Sequence, residues 1–316
     1  NEGLQLLEDV EKQGEGGPVL PRDAGWIDGR RKDAPIAVIE ERAERAVAAT
    51  PDLIAVRTLL VQTRIARNDL EGALQALDEL AAFLPPLATT SRHLLIRMQL
   101  LRDAGRYDEA LKVLTDHAEH LKDDPAAARE KTVLTDLCEA WRVEQEIRKG
   151  EAQRDDLPRV LLDTTKGEIV LELFEDDSPN GVANFVSLVE SGFYDGTRFH
   201  WADGGGRVVG GDPDSRDDDP HNDGYGGPGY LIESEPGRRL TFAMTVGSAD
   251  NRRRRRTEGS CFVIHLSPFP LTDGVNTTLG RVISGEEVAR KLEYYDTVKK
   301  ASVLRKRPHP YSPVKR

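Results

Sequence analysis

The sequence predicts a multidomain chain in which an all-α helical-repeat domain precedes a closed or nearly closed β-barrel built of short strands with two helices. Three observations carry this expectation. A length of 316 residues exceeds what one core commonly organises. Residues 36–125 are rich in Ala and Leu at helical spacing, with proline-marked turns recurring at a fixed interval. From Pro158 onward the apolar period changes from helical to alternating, and glycines become frequent. With 38% hydrophobic and 31% charged residues the composition is that of a soluble globular protein, and no apolar run reaches the roughly 20 residues that span a bilayer.

Residues 1–35 form an irregular N-terminal segment, in which a short apolar-periodic piece, Leu4 to Val10, precedes the Gly/Pro-rich loop GEGGPVLPRDAGW. The chain starts at Asn1, which leaves room for a trimmed targeting segment, so localisation stays open. In the following stretch Pro51 and Pro85 lie 34 residues apart, each closing an apolar helix pattern, and Ile39 and Ala73 each precede them by 12. A third copy begins near Ser91, about three residues late. The turns NDLEGAL (68–74) and GRYDEAL (105–111), with their small alanines and closing prolines, resemble the tetratricopeptide repeat. Stacking such helix pairs makes a short solenoid whose concave side can hold a partner peptide. Ala55, Thr58, Gln62 and Ile65, and then Arg92, Leu95, Gln99 and Arg102, are expected on that side. Residues 126–157 are expected to form a charged capping and linking helix with Leu134, Leu137, Cys138 and Trp141 on one face.

The barrel is expected over residues 158–308, followed by a basic tail at 309–316. It opens with a hairpin, VLLDTTKGEIVLELF (160–174), in which Ile169, Leu171 and Leu173 alternate as a buried face does. Ser178-Pro179 reads as an N-cap and first-turn proline for a helix ending at Gly192, and Ser284 with Glu287 reads as the capping box of a second helix.

A series of motifs follows in order: SPNGVANFVSLVESGFYDGTRFH (178–200), GGDP (210–213), GYGGPGYLIESE (224–235), LTFAM (240–244), GSCFVI (259–264) and TDGVNTTLGRV (272–282). Together they resemble the cyclophilins, the family of peptidyl-prolyl cis-trans isomerases, and the resemblance implies a closed β-barrel of about eight strands with two flanking helices. The resemblance implies rotation about an Xaa-Pro amide, whose barrier is about 18–20 kcal/mol because resonance keeps the bond planar. Such catalysis uses an apolar pocket for the proline ring and hydrogen-bond donors that favour the twisted amide. It implies no cofactor and no metal. The partner it implies is a proline-containing peptide or a client protein in folding.

Carried over residue by residue, the family's groove is altered. Phe199 and His200 are kept, but Trp201 stands at the arginine position, Gly206 at the pocket phenylalanine, Arg207 at the methionine and Val209 at the glutamine. Thr245 falls on the groove, Cys261 replaces a glutamine, Val263 a phenylalanine, Pro270 the tryptophan and Asn276 the histidine, while Leu271 is retained. Indole offers one uncharged donor against five on a guanidinium. Losing one preorganised donor costs ~10²–10³ in rate, so weak or lost catalysis is expected. Arg207 is the candidate relocated donor, because two residues apart on a strand it shares a face with Val209. The alternative is a non-catalytic scaffold whose helical repeats recruit a partner.

Arg252, Arg253, Arg254, Arg255 and Arg256 form an inserted run suited to an anion contact. The net charge of −11 weighs against general nucleic-acid binding. The acid-rich stretch 212–224 lacks the spacing of a calcium loop. Cys138 and Cys261 make no metal or disulfide pattern.

Overall fold

The structure, a computed structural model, describes residues 26–27, 30–31, 36–249 and 257–316. The expected helical piece at Leu4 to Val10 and the Arg252 to Arg256 run lie outside these residues. Within the irregular segment, β1 (Trp26–Ile27) and β2 (Arg30–Arg31) pair antiparallel. The chain forms two compact units that meet inside one helix, the first ending at Ala140 and the second starting at Trp141.

The first unit is helical. It comprises α1 (Ile36–Ala49), α2 (Ile54–Ala66), α3 (Leu70–Phe83), α4 (Ser91–Asp103), α5 (Tyr107–Asp116) and the single turn α6 (Ala118–Leu121). It also holds the start of α7 (Pro125–Arg154). α1 and α3 begin and end 34 residues apart, as the prolines required. The turns before α3 and α5 place Asn68 at φ 58° and Gly105 at φ 73°, a left-handed conformation that these residue types accept most readily. Ala73 and Ala110 are both fully buried, so neighbouring helices approach closely over their methyl groups. Asp69 caps α3 by accepting from the Gly72 amide at 3.1 Å. This spacing is compatible with helix-pair repeats.

The second unit is organised by one eight-stranded sheet. Its strands are β3 (Arg159–Thr164), β4 (Gly167–Leu173), β5 (Trp201–Ala202), β6 (Arg207–Gly210), β8 (Thr245–Ser248), β10 (Phe262–His265), β11 (Thr278–Ser284) and β12 (Val298–Arg305). The order is β12-β3-β4-β11-β8-β10-β6-β5, antiparallel throughout. A separate two-stranded ribbon pairs β7 (Ile232–Glu233) with β9 (Thr257–Glu258). The ends of the eight-strand ladder meet through the Arg198–Thr297 bridge, where the Phe199 amide donates to Asp296 and the Val298 amide to Thr197, both at 2.8 Å. The sheet thereby curls onto itself, and the exposed edges that invite aggregation are joined.

Inside lie Val160, Leu162, Ile169, Leu171, Val208, Val246, Phe262 and Ile264, all within 1% of complete burial. They pack with Val182, Phe185 and Val186 of α8 (Pro179–Glu190). Burying one such side chain contributes about 1.5–3 kcal/mol. Gly280 is required by the sheet, since a Cβ there would sit 2.3 Å from the Glu172 carbonyl.

Two local expectations are corrected. The Ser178 hydroxyl does not cap α8; it donates to the Phe174 and Thr278 carbonyls at 3.2 and 3.0 Å. The Asn180 and Gly181 amides are taken instead by the Glu235 carboxylate, at 3.2 and 2.8 Å. A distant anion, favoured at the positive helix end, does the work of the local cap. Likewise Ser284 ends β11 and forms no capping box; Gly285 at φ 81° leads into α9 (Glu286–Arg290), which is only five residues long.

Candidate functional site

The register of the sheet assembles the site. Trp201 on β5 lies opposite Val209 on β6, Val209 opposite Val263 on β10, and Val263 opposite Gly247 on β8. Arg207 lies opposite His265. Because side chains alternate along a strand, these residues share the face away from the packed interior. Trp201 is 43% exposed, whereas Val263 is 5% exposed. The sheet thus brings Trp201, Arg207, Val209 and Val263 onto one face of neighbouring strands.

Other expected groove residues fall elsewhere. Phe199 is fully buried and packs edge-on against Phe262 with centroids 6.1 Å apart, so it belongs to the core and not to the groove. Thr245 is buried, opposite Arg281. Leu271 is 81% exposed, at the centre of the turn Pro270–Thr272. Asn276 donates to the Ser248 carbonyl at 3.4 Å. Cys261 is partly buried, and burial with the nearby carboxylates of Asp212 and Asp214 pushes its thiol up to about 12, so it is a poor nucleophile.

Asp203 shapes the altered part of the groove. The Asp203-Gly204-Gly205-Gly206 turn joins β5 to β6, with Gly204 at φ 70° and Gly205 at φ 126°. The Asp203 carboxylate accepts from the Gly206 amide at 2.9 Å and the Arg207 amide at 2.5 Å. Its other oxygen accepts from Arg207 Nε at 3.0 Å. A Cβ on residue 206 would lie 2.9 Å from this carboxylate. Glycine at that position and the Asp203 to Arg207 pair are therefore one substitution in physical terms, the carboxylate occupying the space where a side chain would start.

Arg207 also stacks over the Phe269 ring, with Cζ 4.5 Å from the centroid. That ring in turn stacks on His265, at 5.6 Å and 25° between planes. His265 is 2% exposed, and its Nδ1 has no hydrogen-bond partner among the described residues. Burial, reinforced by the Arg207 charge, lowers its pKa to about 3, so the imidazole is neutral at ordinary pH. Sequence reading missed Asp203, His265 and Phe269. Asp before three glycines is a turn signal that points to the first, and His265 is two residues beyond Val263 on the same strand. Phe269, in the loop after β10, carried no local signal.

The acid-rich stretch folds around Asp212, whose carboxylate accepts from the Asp214 amide at 2.9 Å and the Tyr225 amide at 3.0 Å. Among the described residues no three His, Cys, Asp or Glu side chains gather as metal ligands. No helix among them is long and apolar enough to cross a membrane.

Residues 159–311 match the family model of cyclophilin type peptidyl-prolyl cis-trans isomerase/CLD. A peptidyl-prolyl cis-trans isomerase of Synechococcus elongatus is 39% identical over 150 residues, covering 47% of this chain and 97% of that protein. Peptidyl-prolyl cis-trans isomerase B of Bacillus subtilis is 37% identical over 140 residues, covering 43% and 90%. A crystal structure of a cyclophilin type isomerase from Cryptosporidium parvum, in the presence of the dipeptide Ala-Pro, aligns with a TM-score of 0.40 and 26% identity over 46% of this chain and 98% of that one. The chain belongs to the cyclophilin-type peptidyl-prolyl isomerase family.

Proposed function

We propose that the barrel binds Xaa-Pro segments of client proteins and that its isomerase catalysis is weak or lost. The observation that carries this reading is the row Trp201, Val209 and Val263 across three strands, where the family's guanidinium, amide and aromatic ring are all replaced. An apolar face can still hold a proline ring, but the charged donor aimed at the twisted amide is missing from its family position. Arg207 is the candidate relocated donor, with the Asp203 carboxylate accepting from its Nε at 3.0 Å. The test is cis-trans exchange on an Xaa-Pro tetrapeptide, followed by NMR with the full chain and with Arg207→Ala. Peptide resonances that shift on binding, with acceleration far below that of the Bacillus subtilis relative, are expected. Acceleration equal to that relative would overturn the reading of weak catalysis.

A cleft in the helical unit supports a second reading, partner recruitment by the repeats. It has a volume of about 420 Å³ between α3, α4 and α5, with Leu94, Leu101 and Val113 below and Asp78, Arg97 and Lys112 at the rim. His93 lines it, 5% exposed, with Nδ1 lacking a partner among the described residues. These residues lie on a different face of α4 from Arg92, Leu95, Gln99 and Arg102, where a partner was expected. Affinity capture with full-length wild type and the Arg97→Ala, Lys112→Ala double variant tests this reading, and an identical set of captured proteins overturns it.

A further inference from the structure

We infer that Phe269 and Asp203 are positioning residues that hold the Arg207 guanidinium on the groove face for a bound Xaa-Pro peptide, an inference that rests on the groove reading above. A long flexible cation on a strand is ordinarily a poor donor, because ordering it costs side-chain entropy. Arg207 is restrained from two directions. The Asp203 carboxylate takes Nε at 3.0 Å, and the Phe269 ring lies under the guanidinium with Cζ at 4.5 Å. A cation over an aromatic face is held by the ring quadrupole, and in-plane donors remain available to a ligand.

The shelf is itself fixed. The Phe269 amide donates to the Thr241 carbonyl at 3.0 Å, and the Phe269 carbonyl accepts from the Thr272 amide at 3.2 Å and hydroxyl at 2.9 Å. The Thr241 amide donates to Asp273 Oδ1 at 2.7 Å. On the strand beneath, the Met244 amide donates to the His265 carbonyl at 2.6 Å and the Leu266 amide to the Gly206 carbonyl at 2.8 Å. The His265 ring supports Phe269 as an uncharged plate and does not repel the cation above it. The loop carrying Phe269 is thus tied to the turn that carries Asp203, and Arg207 is clamped between them. Preorganisation of this kind places the burden of ordering on folding and removes it from binding.

Two readouts on the full chain test this. The first is the Arg207 Nε–H resonance, expected to be sharp and slowly exchanging in wild type and broadened in Phe269→Leu. Asp203→Asn keeps an amide oxygen for the Gly206 and Arg207 backbone amides but removes the carboxylate from Nε, and it is expected to broaden the same signal. The second is affinity for a blocked Ala-Ala-Pro-Ala tetrapeptide, expected to fall about two- to fivefold in Phe269→Leu and to be retained in Phe269→Trp. An Nε–H signal unmoved by both substitutions overturns the positioning role even where the peptide binds. A signal that broadens with no change in affinity overturns the service to the ligand. Failure of wild type to bind the tetrapeptide removes the Xaa-Pro reading of the groove instead, and the Nε–H signal still decides whether the clamp exists.

Discussion

Arg239 Nη1 donates to Glu144 Oε1 at 3.2 Å across 95 residues of sequence, both side chains about 5% exposed. The pair anchors the second half of α7 to the barrel unit. Arg239 also bonds Glu151, and donates from Nε to Asp177 at 2.7 Å. Arg281 donates to Glu151 at 2.8 Å and to Glu172 at 2.5 Å. Both guanidinium groups lie over Phe174, at 3.7 and 5.4 Å. Trp141 meets Phe242 edge-on at 4.9 Å.

Removing one carboxylate from this buried group leaves cations without full compensation. Glu151→Ala is expected to destabilise the barrel by about 3–5 kcal/mol, measured by urea unfolding followed at the tryptophans. The barrel unit beginning at Trp141 is expected to unfold at higher urea than one beginning at Pro158. Equal midpoints would show that the α7 contacts contribute nothing.

Restoring a guanidinium at the family position is a gain-of-function test. Trp201 is exposed on the groove face, so Trp201→Arg requires no cavity and no repacking of the interior. An increase of up to about 10²-fold in prolyl exchange is expected if the missing donor limits the rate. No increase would show that the loss of the pocket wall at Gly206 and Val263 is limiting.

His265 makes stability sensitive to acid. Its folded pKa is depressed to about 3 from 6.5 in the unfolded chain, so the unfolded state binds the proton more readily. Its contribution is complete above pH 6.5 and is lost as pH falls from there toward 3, amounting to about 3 kcal/mol at pH 4. His265→Phe is expected to flatten the stability profile between pH 7 and pH 4, read from urea midpoints. An unchanged slope would assign the acid sensitivity to other groups.

The raised Cys261 thiol and the burial of Cys138 predict two slow cysteines. Iodoacetamide at pH 8 is expected to leave both unmodified in the native chain and to alkylate both in urea, as read by intact mass. Rapid native alkylation at Cys261 would contradict its placement.

Local chemistry was readable directly. The hairpin Arg159–Leu173 follows from alternation around Thr165-Lys166, α8 from Pro179 and its apolar spacing, and the helix turns from Asn68 and Gly105. The ordered motifs placed the barrel in its family, and the resemblance to that family, carried over residue by residue, named the altered groove positions Trp201, Gly206, Arg207 and Val209. The hairpin, the helix and the turns depend on residues within a few positions of one another, where period and φ preference are decided.

Longer-range partnerships were decided by the tertiary structure. Glu235 caps a helix 54 residues earlier, Arg198 meets Thr297 to join the sheet's ends, and Phe269 lies under Arg207 from the far side of β10. Sequence period sets which face a side chain takes but carries no record of which distant side chain it meets there. That choice belongs to sheet register and loop packing, and in this chain it determines how the groove's remaining cation is held.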